Sequence, residues 1–173
     1  MLCALKESGV RTLELGVESY SDIVLQSMKK GITKQQIDYA YELCDKVGVN
    51  VTSNIIIGDP VETEETIKES LGFVSAHSTH VINVGFLLAI PDSDVWRYAL
   101  SHGLIQDKLG FIKAGFPVIN LTKMSDRKFN IIRKHILIQD MKKKRVKWFS
   151  LKILGVLLLR ENGLLYEKLR RMV

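Results

Sequence analysis

The sequence predicts an α/β fold of three parallel strand–helix units, followed by an α-helical tail. Three observations carry this. Short β-branched runs alternate three times with amphipathic helical segments, the pattern of parallel βαβ units. Each run ends on turn-forming or polar residues: Glu18-Ser19, Gly58-Asp59-Pro60 and Pro91-Asp92-Ser93. In such folds ligands bind at the carboxyl ends of the strands. The alternation stops after residue 104, and the charge then reverses. Residues 1–122 hold 10 Lys+Arg against 15 Asp+Glu, a net of −5. Residues 123–173 hold 15 against 4, a net of +11. The chain therefore reads as an acidic α/β body, 1–122, and a basic helical extension, 123–173.

The elements follow in order. Residues 2–7 read as the last turns of a helix, closed by Ser8-Gly9, with Gly9 supplying the left-handed position. Residues 12–17 form a short β run. Ser21 can cap a helix over 22–28, and Lys29-Lys30-Gly31 closes it. Thr33 to Gln36 is a capping box. Beyond it Ile37, Ala40, Tyr41, Cys44 and Val47 line one helical stripe, stopped by Gly48. On that stripe Cys44 is a packing residue.

Residues 49–57 are β-branched and continuously apolar at their end, as expected for a strand covered on both faces. Thr63 caps a helix whose early Glu64 and Glu65 complement the helix dipole; Ile67, Leu71 and Val74 are its seam. Residues 81–90 read as a third strand and 94–102 as a helix. Residues 110–120 read as a loop, with one extended segment at 116–121. Ser125 caps a long helix over 126–144, and further helices are expected over 148–159 and 163–172.

Composition excludes several classes. With 173 residues, 46% hydrophobic and 25% charged, the chain is neither disordered, collagenous nor a disulfide scaffold. Cys3 and Cys44 have no metal-ligand spacing and read as reduced cytosolic thiols. The most apolar late run, 153–159, lies between Lys152 and Arg160, far short of the roughly 20 residues of a bilayer span. No secretory apolar region follows Met1, because Lys6 and Glu7 come at once. A cytoplasmic protein is expected, or one peripheral to a membrane.

Three stretches resemble a known family. The first is Leu15-Gly16-Val17-Glu18-Ser19 with Met28-Lys29-Lys30-Gly31-Ile32-Thr33 behind it. The second runs Asn54-Ile55-Ile56-Ile57-Gly58-Asp59-Pro60-Val61-Glu62-Thr63. The third is Ile90-Pro91-Asp92-Ser93-Asp94, then Gly103-Leu104-Ile105. In this order and spacing they resemble the second half of a radical S-adenosylmethionine (SAM) core. They are most similar to the branch whose members often carry a cobalamin-binding domain. The resemblance covers about residues 1–140. It implies a partial (β/α)6 TIM-like barrel, of which this chain matches strands four to six. The family's cluster loop, CxxxCxxC, does not occur in these residues, and neither does its glycine-rich second-strand motif. The expectation is a truncated gene product, a split gene or a partial reading frame, whose partner is the missing N-terminal half of the barrel.

The resemblance implies SAM as cofactor and a [4Fe–4S] cluster whose ligands are absent from this chain. Cobalamin is a further candidate cofactor for the intact protein, since members of that branch often carry its binding domain. The intact enzyme would cleave SAM reductively to a 5′-deoxyadenosyl radical that attacks an unknown, small-molecule or other, substrate. The implied SAM contacts are Glu18 and Ser19 at the end of the fourth strand, and Lys30, a point charge for the SAM carboxylate. To these it adds Asn54 for the ribose hydroxyls, Ile56 along the adenine, and Gly58, where backbone approaches closely. Leu88 to Ile90 would flank the same ring. Competing readings are a helix-entry acid for Glu18, a basic helix end for Lys30 with Lys29 beside it, and a backbone-bonded buried amide for Asn54. Val61 departs from the family, which usually has Gly there. His77, His80, His102 and His135 receive no role.

The basic tail carries Lys142-Lys143-Lys144-Arg145 and Lys147-Trp148-Phe149. Charge and aromatics together suit a membrane surface or RNA phosphates; a helical subdomain packed on the barrel is the plainer reading. The alternative function is therefore a non-catalytic α/β module whose tail docks on membrane or RNA.

Overall fold

A computed structural model describes residues 1–143. The helices expected over 148–159 and 163–172 lie outside the described residues. The chain divides into two compact units, Met1–Ile132 and Arg133–Val173.

The first unit is α/β. Helix α1 (Leu2–Glu7) precedes strand β1 (Thr12–Glu18), and the short α2 (Asp22–Ser27) and α3 (Lys34–Val47) lead to β2 (Asn50–Ile57). Helix α4 (Glu64–Ala76) connects to β3 (Val81–Phe86), and α5 (Asp94–Ser101) and α6 (Lys108–Lys113) follow. Helix α7 (Asp126–Lys143) begins in this unit. The strands form a parallel sheet in the order β1-β2-β3. The alternation predicts such a parallel sheet, and its order fits an arc of a βα barrel.

Helix α3 starts and stops where the sequence expects, and α4 starts there. Thr33 accepts from the Gln36 N–H, and the Gln36 side chain accepts from the Thr33 N–H. Gly48 takes the left-handed conformation, φ 72°, that ends α3. Thr63 and Thr66 form a second reciprocal box at the start of α4, with Thr66 where a Glu or Gln usually stands.

One face of the sheet carries the core. Along β2 the burial alternates: Val51, Ser53, Ile55 and Ile57 are buried, while Thr52, Asn54 and Ile56 are half-exposed. The expectation that this strand is covered on both faces is therefore corrected. β-Branched residues on both faces mimic a fully buried strand, but period-2 geometry gives only one face to the helices. Ile37, Tyr41 and Cys44 of α3 and Ile67, Phe73 and Val74 of α4 supply the cover. Tyr41 is fully buried and its hydroxyl pairs with the Ser53 hydroxyl at 2.6 Å. The Tyr20 hydroxyl donates to both carboxylate oxygens of Asp38, at 2.8 and 2.9 Å. Desolvation, then that hydrogen bond, pushes its phenol up to about 12.

Three expectations about the chain beyond β2 are corrected. The third strand ends at Phe86, not at residue 90. Its last ladder bond is the Leu87 N–H to the Ile57 carbonyl, 2.8 Å; β2 then stops at Gly58, leaving residues 88–90 no strand to pair with. Part of the expected loop is helix α6, because Asp107 accepts from the Gly110 N–H and starts a turn. The extended segment at 116–121 pairs with no strand among the described residues. Phe116 there has φ 57°, which breaks a β conformation. Leu121 instead joins Ala89, Trp96, Ala99 and Ile105 in a second apolar cluster.

Candidate functional site

The open face of the sheet is built by register. Glu14 lies opposite Thr52, and Asn54 lies opposite Asn83, with Ile56 opposite Gly85. Paired residues point to the same side, so Glu14, Gly16, Thr52, Asn54, Ile56, Asn83 and Gly85 share it. At the carboxyl end of β1 the register shifts between Leu15 and Glu18. Glu18 has φ 66°, and the Ser19 N–H donates back to the Val17 carbonyl at 2.8 Å. This is a three-residue γ-turn with a positive-φ centre, a rare and strained form. Strain of this kind costs on the order of 1–3 kcal/mol and is held only by its surroundings.

The turn aims Glu18 at Lys30. Glu18 Oε1 lies 3.3 Å from Lys30 Nζ, with both side chains about three-quarters withdrawn from solvent. Lys29, at φ 55°, and Gly31, at φ 69°, turn the chain so that Lys30 reaches back. Lys29 goes elsewhere, to Asp94 at 2.8 Å on the open surface. The structure thus separates the two neighbouring lysines and gives Glu18 to Lys30.

Gly16 makes room for the pair. A Cβ at this position would sit 2.9 Å from Lys30 Nζ and 3.1 Å from Glu18 Oε1. Sequence reasoning quoted Gly16 without giving it a role. The available signal was a glycine inside a strand, which often marks close approach of another group.

Asn54 is half-exposed on the open face, and its partner is a side chain rather than backbone. Its Oδ1 accepts from Asn83 Nδ2 at 3.2 Å. Ile56 presents an apolar surface beside Gly85, where a Cβ would meet nothing within 4 Å. Ser19 is not part of this arrangement. It is fully buried, with its hydroxyl 3.4 Å from that of Ser70 on α4. Gly58 is buried at φ 119°, and a Cβ there would meet Leu87 at 3.6 Å and Phe129 at 3.9 Å, ordinary contact distances. Its glycine is needed for conformation, and its vacant side faces the packed interior.

Behind the strand end lies a buried acid that sequence reasoning passed over. Glu62 has no exposed surface, and its Oε2 accepts from the Gly58 N–H. Its Oε1 has no hydrogen-bond partner among the described residues. Desolvation raises its carboxyl to about 7, against the pull of the Gly58 and Asp59 backbone N–H groups. Asp59, also buried, accepts from the Ser27 hydroxyl at 2.8 Å and the Val61 N–H at 3.0 Å. Val61 is not among the positive-φ residues. The loop takes its left-handed step at Gly58, which is why a β-branched residue fits at 61.

The donor set suits a zwitterionic nucleoside better than a metal. Lys30 offers a cation, Glu18 an acceptor, Asn54 an amide, and Ile56 with Gly85 a flat apolar shelf. An iron–sulfur cluster does not fit the cysteines: Cys3 lies exposed on α1, and Cys44 is buried with its thiol pushed up by desolvation. Among the described residues no group of three His, Cys, Asp or Glu could hold a metal.

Fold and site define an α/β barrel segment with a charged pair at the end of its first strand. Residues 1–74 match the family described as the Radical SAM superfamily. The chain is 31% identical over 102 residues to an uncharacterized methyltransferase of Pyrococcus horikoshii, covering 59% of this chain and 22% of that protein. It is 29% identical over 133 residues to a Methanocaldococcus jannaschii protein provisionally named a methylthiotransferase, covering 76% and 30%. It is 26% identical over 122 residues to a tRNA-2-methylthio-N(6)-dimethylallyladenosine synthase of Thermotoga petrophila, covering 69% and 27%. The likeness to the radical SAM superfamily lies in residues 1–74. The chain spans under a third of the length of each of these relatives.

Proposed function

We propose that residues 1–122 hold SAM as the second half of a radical SAM barrel, contributing its strands four to six. The Glu18–Lys30 pair over Gly16 is the observation that carries this. Lys30 takes the SAM carboxylate, and Glu18 accepts from a hydroxyl or the ammonium. The Asn54 amide reaches the ribose and Ile56 lies along the adenine. The [4Fe–4S] cluster belongs to a segment carrying CxxxCxxC, which completes the barrel. Reductive cleavage of SAM is the chemistry of that complete enzyme, and cobalamin enters if a cobalamin domain accompanies it.

Titration of the full chain with SAM by isothermal calorimetry tests the site. Saturable binding that falls at least tenfold in Lys30→Ala and Glu18→Ala, at unchanged circular dichroism, is expected. No binding, or binding indifferent to both changes, overturns the reading.

A second reading concerns residues 123–173. Their net charge of +11 suits a phosphate polyanion, and two relatives are named for methylthio transfer, one of them on tRNA. These favour RNA over a membrane surface as the tail's partner. Among the described residues no helix is long and apolar enough to cross a membrane. Salt-sensitive RNA binding that exceeds binding to anionic vesicles is the expected outcome; the reverse order favours the membrane.

A further inference from the structure

We infer that Asn83 is a positioning residue of this site, fixing which end of the Asn54 amide faces the ligand. The inference rests on the SAM-binding reading above. Asn54 and Asn83 are direct cross-strand partners on the open face of β2 and β3. Asn83 Nδ2 donates to Asn54 Oδ1 at 3.2 Å. That bond turns the Asn54 oxygen toward Asn83, and no other side-chain bond is made to its amide among the described residues. Asn54 Nδ2 therefore remains as a donor.

On the other side Lys30 Nζ and Glu18 Oε1, which lie over Gly16, bond to each other, and among the described residues neither bonds to this amide. In the β1–β2 register, Leu15 faces Ser53, so the next position, Gly16, flanks Asn54 and carries no side chain. An isolated Asn rotates its amide at little cost, because oxygen and nitrogen ends have the same shape. Bonded to Asn83, the Asn54 amide turns only if the Asn83 amide turns with it. Glu18, paired with Ile55, is an acceptor one position further along β2. A fixed Asn54 donor beside a Glu18 acceptor matches a vicinal diol: one hydroxyl accepts, the other donates. Asn83 thereby contributes to selection of a ribose over a deoxyribose without needing to touch it.

The polarity of the pair makes the test sharp. Asn54→Asp keeps the bond from Asn83, since a carboxylate accepts, but deletes the donor offered to ligand. Asn83→Asp places a carboxylate against Asn54 Oδ1, so the Asn54 amide turns round and spends its N–H on Asp. Asn83→Ala frees the amide to rotate. The probes are SAM and its 2′-deoxy and 3′-deoxy analogues, titrated into the full chain. Side-chain amide resonances of Asn83 are followed in the ligand-free protein.

In the wild type, at least one deoxy analogue should bind at least fivefold more weakly than SAM. Asn83→Asp should lose affinity for SAM roughly tenfold and erase that preference, as Asn54→Ala does. Asn83→Ala should lose about threefold, and the Asn83 amide signals should shift in Asn54→Ala but persist in Asn54→Asp. If SAM binds and Asn54→Ala weakens it while both Asn83 variants leave affinity and preference intact, this inference alone fails. If the wild type does not bind SAM, the underlying reading fails and takes the inference with it.

Discussion

Lys30 Nζ and Glu18 Oε1 meet 3.3 Å apart across the space that a side chain at Gly16 would fill. The two residues come from different elements, and neither is placed by its own secondary structure. Glu18 is turned by a strained γ-turn, and Lys30 by two left-handed residues on either side of it.

Gly16→Ala tests this arrangement. The added methyl meets the far end of a flexible lysine rather than backbone, so the fold gives way cheaply. Thermal stability should change by less than about 1 kcal/mol, while SAM affinity measured by calorimetry should fall about tenfold. A variant that loses stability but keeps affinity would show that the glycine serves the strand alone.

Gly58→Ala should do the opposite. At φ 119° an L side chain is strained whatever space surrounds it. A loss on the order of 1–3 kcal/mol is expected in urea unfolding. Contact with Leu87 at 3.6 Å is ordinary van der Waals distance and adds little.

Glu62 makes the barrel segment pH-sensitive. Its carboxyl titrates near 7 when folded and near 4.5 when not. Between those values the folded state holds a proton that the unfolded state has released. Stability therefore falls as pH rises from about 4.5 to about 7, by an amount on the order of 3 kcal/mol at most. Glu62→Gln is neutral throughout and can still accept from Gly58. Its unfolding midpoint should stay flat across that window, and above pH 7 it should equal or exceed the wild type.

The buried Tyr41–Ser53 pair should behave as a unit. Tyr41→Phe strands the Ser53 hydroxyl in the core and should cost about 1–3 kcal/mol. Adding Ser53→Ala removes the stranded group, so the double variant should lose little more than Tyr41→Phe alone. Simple additivity in a double-mutant cycle would contradict the bond.

Much of the fold is legible because local chemistry and tertiary packing agree. Thr33 and Gln36 announce the start of α3, Gly48 its end, and the strand runs lie within a few residues of their expected places. Failures occur where local signals conflict. Residues 87–90 look like strand, yet lose their partner when β2 stops at Gly58. Residues 110–113 look like loop because of Gly110, yet Asp107 caps that very glycine. At the site, Glu18, Lys30, Asn54 and Ile56 share the open face and strand end, whereas Ser19 turns into the core. Gly16, Glu62 and Asn83 passed unnoticed for three different reasons. A glycine does its work by being empty, an acid is buried by distant packing, and a cross-strand amide pair exists only once the register is set.

The alternation along β2 divides responsibility between neighbouring residues. Positions 51, 53, 55 and 57 decide whether the chain folds; positions 52, 54 and 56 face outward and are free of that duty. A gene library randomised only at the second set should yield mostly folded proteins with altered ligand preference. The same library at the first set should yield mostly insoluble ones. One strand thus gives an engineer separate handles on persistence and on purpose.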